Sequence, residues 1–277
     1  MGDYKTINIF AKPASYVRRG GLPYRHLFRG SSVIRGEQIA SYLGAKMNPT
    51  NGHDGDLCIY VKPTTLDHIK DGSWVDILDG DHIIGLLNDR PRVNAILNGM
   101  TSYNLFHPVL KNKLAVIPLH HCNFDGEMRN RMVVDTVGFI GSEKGFGYPL
   151  EEMKQVVGSV GLNFVYNCDF KTREDVVDFY KKIDIQVVWS HRRFRQQSRG
   201  PMKFINAASF GIPTVGYPQE CCKEIEGDYI KAGTIAELML ELDKLKDPYY
   251  YGAWSRKAAT MAEQYHISKI AELYRQL

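Results

Sequence analysis

Short apolar segments alternate with amphipathic helical segments through residues 131–246, and this alternation constrains the fold more than any other feature. Helical spacing of apolar side chains begins near Met153, after Thr172 and after Thr234. Short apolar strands separated by amphipathic helices indicate a parallel sheet covered by helices on both faces. The sequence therefore predicts a doubly wound α/β domain with strands at residues 133–140, 162–166, 185–189, 213–217 and 229–230.

Local signals also predict where the helices of this half begin and end. Thr172 with Asp175, and Thr234 with Glu237, have the spacing of a capping box at a helix start. Gly211 is placed to end a short helix before the strand at 213–217.

The N-terminal half repeats the pattern less clearly. Strands are predicted at residues 7–10, 57–61, 93–97 and 114–117, with a helix at 32–43. The chain is thus expected to form two Rossmann-like domains, residues 1–125 and 126–251, divided near the polar stretch 123–130. The C-terminal helix, about residues 252–277, is expected to pack back on the first domain.

Composition excludes several classes of protein. The hydrophobic share of 44% and charged share of 24% are those of a globular protein, and no apolar run is long enough to span a membrane. The cysteines have no regular spacing and predict a reduced, cytoplasmic chain without a metal site. A net charge of +4 suits an anionic small ligand or a weak contact with nucleic acid.

The segment 190–218 contains the strongest functional signal. It runs from a predicted strand end through a basic loop, with His191, Arg192, Arg193 and Arg195, into a helix that contains Lys203 in its first turn. A helix N-terminus offers unpaired N–H groups and a positive dipole to phosphate. The alternative is a solvated loop before an ordinary helix.

Three segments, in order, resemble GT-B glycosyltransferases. Their donor-binding helix is similar to Lys203-x-x-Asn206-Ala207-x-x-x-Gly211-x-Pro213. The first strand and turn of their C-terminal domain resemble residues 137–141 (V-G-F-I-G), and the strand end before their interdomain linker resembles Ile117-Pro118. The resemblance implies two Rossmann-like domains facing a cleft, a C-terminal helix that crosses back, and a nucleotide sugar as cosubstrate with neither cofactor nor metal. The donor-binding residues it implies, together with the basic loop, are Gly141, Ser142, Ser190, His191, Arg192, Arg193, Arg195, Met202, Lys203 and Asn206.

One feature departs from the family pattern. Many retaining members have two glutamates, eight residues apart, where this chain has Ser198 and Asn206. The resemblance therefore leaves the choice between retaining and inverting transfer open.

Catalytic candidates lie in the N-terminal half and near the domain boundary. Asp76 or Asp79, in V-D-I-L-D-G-D, could act as general base, although Asp79-Gly80 also suits a solvated turn. His121 follows a predicted strand end and could take a proton or stabilise phosphate charge, although a structural role for His120 and His121 is the alternative.

These observations predict a glycosyltransferase, monomeric or dimeric, that uses a nucleotide sugar. The acceptor could be a glycan, a small molecule or a modified nucleic-acid base, since some phage enzymes of this fold glycosylate DNA. An epimerase or dehydrogenase is disfavoured because no G-x-G-x-x-G follows the first strand. The remaining alternative is a two-domain protein that binds nucleic acid or a small ligand without catalysis.

Overall fold

The chain was analysed as a computed structural model. The structure describes residues 6–12, 18–19, 22–23, 30–51, 53–78, 82–129, 133–190 and 199–277. It divides into two compact units. Unit 1 comprises Met1–Leu119, Gln197–Gly200 and Ile267–Leu277, and unit 2 comprises His120–Gln196 and Pro201–His266.

Unit 1 contains a parallel sheet of six strands in the order β4-β1-β5-β6-β7-β8. Its central strand β5 is buried along its whole length, which explains its unbroken apolar sequence L-C-I-Y-V. The strands are β1 Ile7–Ala11, β4 Lys46–Met47, β5 Leu57–Val61, β6 Trp74–Asp76, β7 Asn94–Leu97 and β8 Leu114–Val116, and a separate antiparallel pair is β2 Arg18–Arg19 with β3 Leu22–Pro23.

The helices of unit 1 pack on this sheet or on one another. The predicted helix over residues 32–43 is confirmed, but its first part is a π-helix and only its end is α-helical. The helical segments are the π-helix Ser32–Gln38, α1 Ile39–Leu43, α2 Ile83–Asn88, α3 Met100–Phe106 and α9 Ile267–Arg275.

Unit 2 contains a second parallel sheet, of five strands in the order β10-β9-β11-β12-β13. Its strands are β9 Thr136–Ile140, β10 Asn163–Asn167, β11 Ile185–Val188, β12 Thr214–Gly216 and β13 Ile230–Lys231. Its helices are α4 Leu150–Ser159, α5 Arg173–Tyr180, α6 Met202–Ser209, α7 Ile235–Lys244 and α8 Pro248–Ala262, with short 3₁₀ helices at Glu143–Gly145, Glu220–Ile225 and Glu263–Tyr265.

Both sheets reverse their strand order beside their first long strand. In unit 1, β4 lies on one side of β1 and β5 on the other; in unit 2, β10 and β11 flank β9 in the same way. These reversals are the topological switch points of doubly wound sheets, outside which ligands bind. The predicted fold, two doubly wound α/β units, is confirmed within each unit.

Several local predictions are confirmed and others are not. Both capping boxes form, at α5 and α7, with reciprocal side-chain to backbone hydrogen bonds. Strand β6 was not predicted, because the acidic run V-D-I-L-D-G-D also fits a turn. The tail is helical as expected, but it breaks at residues 263–266, so that α8 belongs to unit 2 and α9 to unit 1.

Among the described residues, no helix combines the length and the apolar character needed to cross a bilayer.

A glycine lets the core of unit 2 close around β9. Ile183, which is fully buried, packs directly on Gly138. A Cβ atom at position 138 would lie 2.4 Å from Ile183 Cγ2, closer than real contacts allow. Position 138 therefore has to be glycine while isoleucine occupies 183.

We expect Gly138→Ala to lower the free energy of unfolding by about 1–3 kcal/mol, the usual cost of overpacking a core. The double variant Gly138→Ala/Ile183→Ala should be more stable than the sum of the single effects, because removing Cγ2 relieves the clash. Urea denaturation checks this. Gly85→Ala is the control, since a Cβ there meets nothing within 4 Å in α2; equal losses at 85 and 138 would contradict the packing argument.

Candidate functional site

The carboxyl ends of β9 and β11 lie side by side at the switch point of unit 2. Gly141 and the exposed Ser142 follow β9, and the buried Ser190 lies just beyond the end of β11. Three of the predicted donor-binding residues therefore lie at the edge where open parallel sheets bind their ligands.

The side chain of Lys203 lies against Gly141. A Cβ atom at Gly141 would be 2.7 Å from Lys203 Cε and 3.1 Å from Nζ, and the φ angle of 144° at Gly141 is one that residues with side chains rarely adopt. Lys203 Nζ also lies 5.6 Å from the centroid of the Phe139 ring, a cation–π distance. Glycine at 141 thus lets a lysine from α6 reach across the end of β9.

The start of α6 has no capping side chain among the described residues. Pro201 occupies the cap position, and the first turn, beginning at Met202, contains no acidic residue. The first N–H groups of a helix have no intrahelical partner and carry partial positive charge. Together with Lys203, this helix start is suited to bind phosphate.

Asn206, one turn further along α6, has a structural contact. Its Oδ1 accepts a hydrogen bond from the backbone N–H of Cys122 at 2.9 Å. The next residue, Asn123, donates from Nδ2 to the carbonyl of Ser209 at 2.7 Å. The segment that begins unit 2 is thereby fastened along α6.

The two histidines of this segment are buried. His120 Nδ1 lies 3.0 Å from the carbonyl oxygen of His121, and the rings of His121 and His266 are 5.4 Å apart. Burial, together with the neighbouring His266 and His120, lowers the pKa of His121 to about 3. His121 is therefore neutral at physiological pH and a weak base.

Asp76, at the end of β6, is completely buried beside Arg35. The distance from Arg35 Nε to Asp76 Oδ2 is 3.1 Å, and the Tyr274 hydroxyl lies 3.3 Å from the same oxygen. Arg35 also donates to Tyr274 at 2.8 Å, to the Pro118 carbonyl at 2.9 Å and to the Ile117 carbonyl. Burial raises the pKa of Asp76, while Arg35 and Tyr274 act against that rise.

These contacts tie four parts of unit 1 together: the π-helix through Arg35, β6 through Asp76, α9 through Tyr274 and the end of β8 through the two carbonyls. A carboxylate enclosed in this way has no route to a substrate proton. The structure therefore points to a structural role for Asp76.

No family profile and no curated protein matches the sequence. Comparison of folds gives clear matches. Anabaena HepE, solved with UDP and glucose, has a TM-score of 0.63 at 12% identity over 98% of each chain. WaaG, a glycosyltransferase involved in lipopolysaccharide biosynthesis, has a TM-score of 0.60 at 9% identity over 96% of this chain and 97% of its own. The GtfA/B complex has a TM-score of 0.54 at 10% identity. The match covers 94% of this chain and 63% of the length of the chain in that complex.

These structures are GT-B glycosyltransferases. The chain has the GT-B fold. The resemblance expected from the sequence is thus confirmed at the level of fold. The GT-B arrangement also accounts for α9, which belongs to unit 1 although it follows unit 2 in the chain.

Five predicted site residues lie outside the described residues: Asp79, His191, Arg192, Arg193 and Arg195. Their roles remain predictions.

Sequence reasoning overlooked the partners of Asp76. Arg35 lies four residues before Ile39, and Tyr274 four residues after Ile270, so each shares a helix face with a buried isoleucine. A charged residue on such a face is rarely buried without a counter-charge. The position of Arg35 on a buried helix face was therefore the sequence signal that a buried acidic partner exists. The identity of that counter-charge depended on contacts distant in sequence.

We expect Asp76→Asn to destabilise the protein by about 3–5 kcal/mol, because it leaves the buried guanidinium of Arg35 without a counter-ion. Tyr274→Phe should cost less, about 1–3 kcal/mol, since it removes a hydroxyl from the same cluster. Urea denaturation measures both. The exposed Asp67→Asn is the control and should change stability by less than about 0.5 kcal/mol; an equally small effect of Asp76→Asn would refute the structural role.

The lowered pKa of His121 predicts a loss of stability in acid. The unfolded state binds a proton near pH 6.5, whereas the folded state binds it only near pH 3, so stability falls as the pH drops below about 6.5. This one group should cost about 2 kcal/mol at pH 5 relative to neutral pH. His121→Gln is expected to reduce the acid loss by that amount in urea denaturation at pH 7 and pH 5. His82→Gln, at an exposed position, is the control variant. An unaltered acid loss in His121→Gln would contradict the assignment.

Proposed function

We propose that the chain is a glycosyltransferase that transfers a sugar from a nucleotide-sugar donor whose diphosphate binds in unit 2. The observation that carries the proposal is the Lys203 ammonium lying across Gly141 at the uncapped start of α6. This places a full positive charge, helix N–H groups and an open backbone at one point of the sheet edge. A diphosphate has the matching charge and size.

The chemistry follows from where negative charge develops. As the bond between the sugar and the diphosphate breaks, charge accumulates on the leaving nucleotide. Lys203 and the first N–H groups of α6 are already oriented toward that charge, so they stabilise the transition state without reorganising. We propose that these groups do the work that a divalent cation does in other transferases, and that Arg192, Arg193, Arg195 and His191 assist them.

The other predicted positions fit around this centre. Gly141, Ser142 and Ser190 follow the two strands at the switch point and are proposed to line the donor. Met202 contributes its backbone N–H at the helix start. Asn206 is proposed to act indirectly, since its Oδ1 holds Cys122.

For the general base we propose Asp79. Asp76 is enclosed by Arg35 and Tyr274, and His121 has a pKa near 3, so neither is suited to take a proton from an acceptor hydroxyl at neutral pH.

Uridine nucleotides are the first donors to test, because HepE was solved with UDP and glucose and also with UDP-glucose. Thermal unfolding is measured with UDP, GDP, ADP and CMP, with and without EDTA. A nucleotide at about 100 times its Kd should add roughly 2.7 kcal/mol to the free energy of unfolding, and the effect should persist in EDTA.

We expect Lys203→Ala to weaken nucleotide binding at least about tenfold and so to remove at least about 1.4 kcal/mol of that stabilisation. Lys154→Ala, on the exposed side of α4 in the same unit, is the matched control and should keep the full effect. If Lys203→Ala and Lys154→Ala respond alike to the stabilising nucleotide, the donor site is misplaced. If duplex DNA stabilises the protein and no nucleotide does, the nucleic-acid-binding alternative is favoured.

A further inference from the structure

The two central strands of unit 1 end in nearly the same sequence. Residues 9–13 read I-F-A-K-P and residues 59–63 read I-Y-V-K-P. These segments form the end of β1 and the end of β5, and in each the strand is followed at once by a lysine.

The two copies are also in register. Ile9 pairs with Ile59, Phe10 with Tyr60 and Ala11 with Val61 in the parallel ladder. The rings of Phe10 and Tyr60 stack with centroids 4.5 Å apart and planes 8° apart, so the strands remain side by side to their ends. Lys12 and Lys62 therefore leave the sheet at equivalent positions on neighbouring strands.

The backbone at both ends is fixed by hydrogen bonds. The N–H of Ala11 donates to Asn48 Oδ1 at 3.0 Å, and the N–H of Lys62 donates to the carbonyl of Asp76 at 2.9 Å. Lys62 has a φ angle of 48°, a left-handed conformation that is unfavourable for a lysine and persists only where the surroundings impose it. The lysine at this strand end is held in place.

The location of the pair is the switch point of unit 1, between β1 and β5. Open parallel sheets bind ligands outside the carboxyl ends of the strands at this point. Lys12 and Lys62 follow two adjacent strand ends at this point. Lysine ammonium groups form charge-assisted hydrogen bonds with oxyanions.

We propose that Lys12 and Lys62 bind an oxyanion, a phosphate or a carboxylate, of the acceptor substrate. The acceptor assignment rests on the proposed glycosyl transfer. The oxyanion site itself rests on the paired strand ends of unit 1, whereas the donor proposal rests on Lys203 in unit 2. The two can therefore fail separately.

The test measures binding of glucose 6-phosphate, glucuronate, glucose and inorganic phosphate by calorimetry, to the full chain and to Lys12→Gln and Lys62→Gln variants. We expect the two anionic sugars to bind and glucose to bind at least about tenfold more weakly. Each substitution should weaken binding of the anionic sugars about tenfold, the loss expected for one charge-assisted hydrogen bond. Lys111→Gln is the control, because it is exposed and precedes β8 at the opposite, amino-terminal edge of the same sheet.

Binding of UDP, measured on the same variants, reports on folding and on the donor site. Retained UDP binding with lost glucose 6-phosphate binding in Lys12→Gln and Lys62→Gln supports the proposal. Retained UDP binding with equal glucose 6-phosphate affinity in wild type, Lys12→Gln and Lys111→Gln overturns the oxyanion site and leaves the donor proposal intact.

Three further results would overturn the acceptor assignment. Equal affinities for inorganic phosphate and glucose 6-phosphate would identify a free-phosphate site. Displacement of glucose 6-phosphate by UDP would assign the lysines to the donor. In the third result, UDP binds to no form of the protein, but glucose 6-phosphate still binds and still depends on the two lysines. This result would contradict the proposed glycosyl transfer and would support only an anion-binding site.

Discussion

Parallel pairing of the strands is the constraint on which the rest of this structure depends. In each main sheet every neighbouring pair is parallel, so all carboxyl ends emerge at one edge. The sheet topology thereby brings residues that are distant in sequence to the same edge. Lys203 reaches Gly141 in unit 2, and Lys12 and Lys62 follow neighbouring strand ends in unit 1, because in each case the connecting elements return to the same edge.

The charges divide into two classes according to their surroundings. Arg35 and Asp76 are fully buried and compensate each other, with Tyr274 bridging them. Burying either charge alone would cost several kcal/mol, so the pair holds unit 1 together only as a pair. Lys12, in contrast, is exposed just after β1, and Lys203, in the first turn of α6, is only partly buried. The first class serves stability, and the second contains the lysines that we propose to bind ligands.

Interactions between residues close in sequence could be predicted from the sequence, and interactions between residues far apart in sequence could not. The capping boxes of α5 and α7 span three residues, and both were predicted correctly. Local periodicity predicts the alternation of strands and helices along unit 2. The sequence predicts Asp76 as a candidate base, because its partner Tyr274 lies 198 residues away and only the fold brings the two together. The contact between Lys203 and Gly141 is also non-local, and only the general rule for parallel sheets pointed to that edge.

The helix starts of unit 2 show why the edge near β9 is distinctive. Helices α5 and α7 begin with capping boxes, α8 is capped by Asp247, and α4 has two acidic residues in its first turn. In the described part of unit 2, α6 alone among the α-helices has neither, and it places Lys203 where the dipole disfavours a cation. Within the described part of unit 2, an omission confined to the helix at the switch point is the pattern expected if an anion, rather than a side chain, completes that helix start.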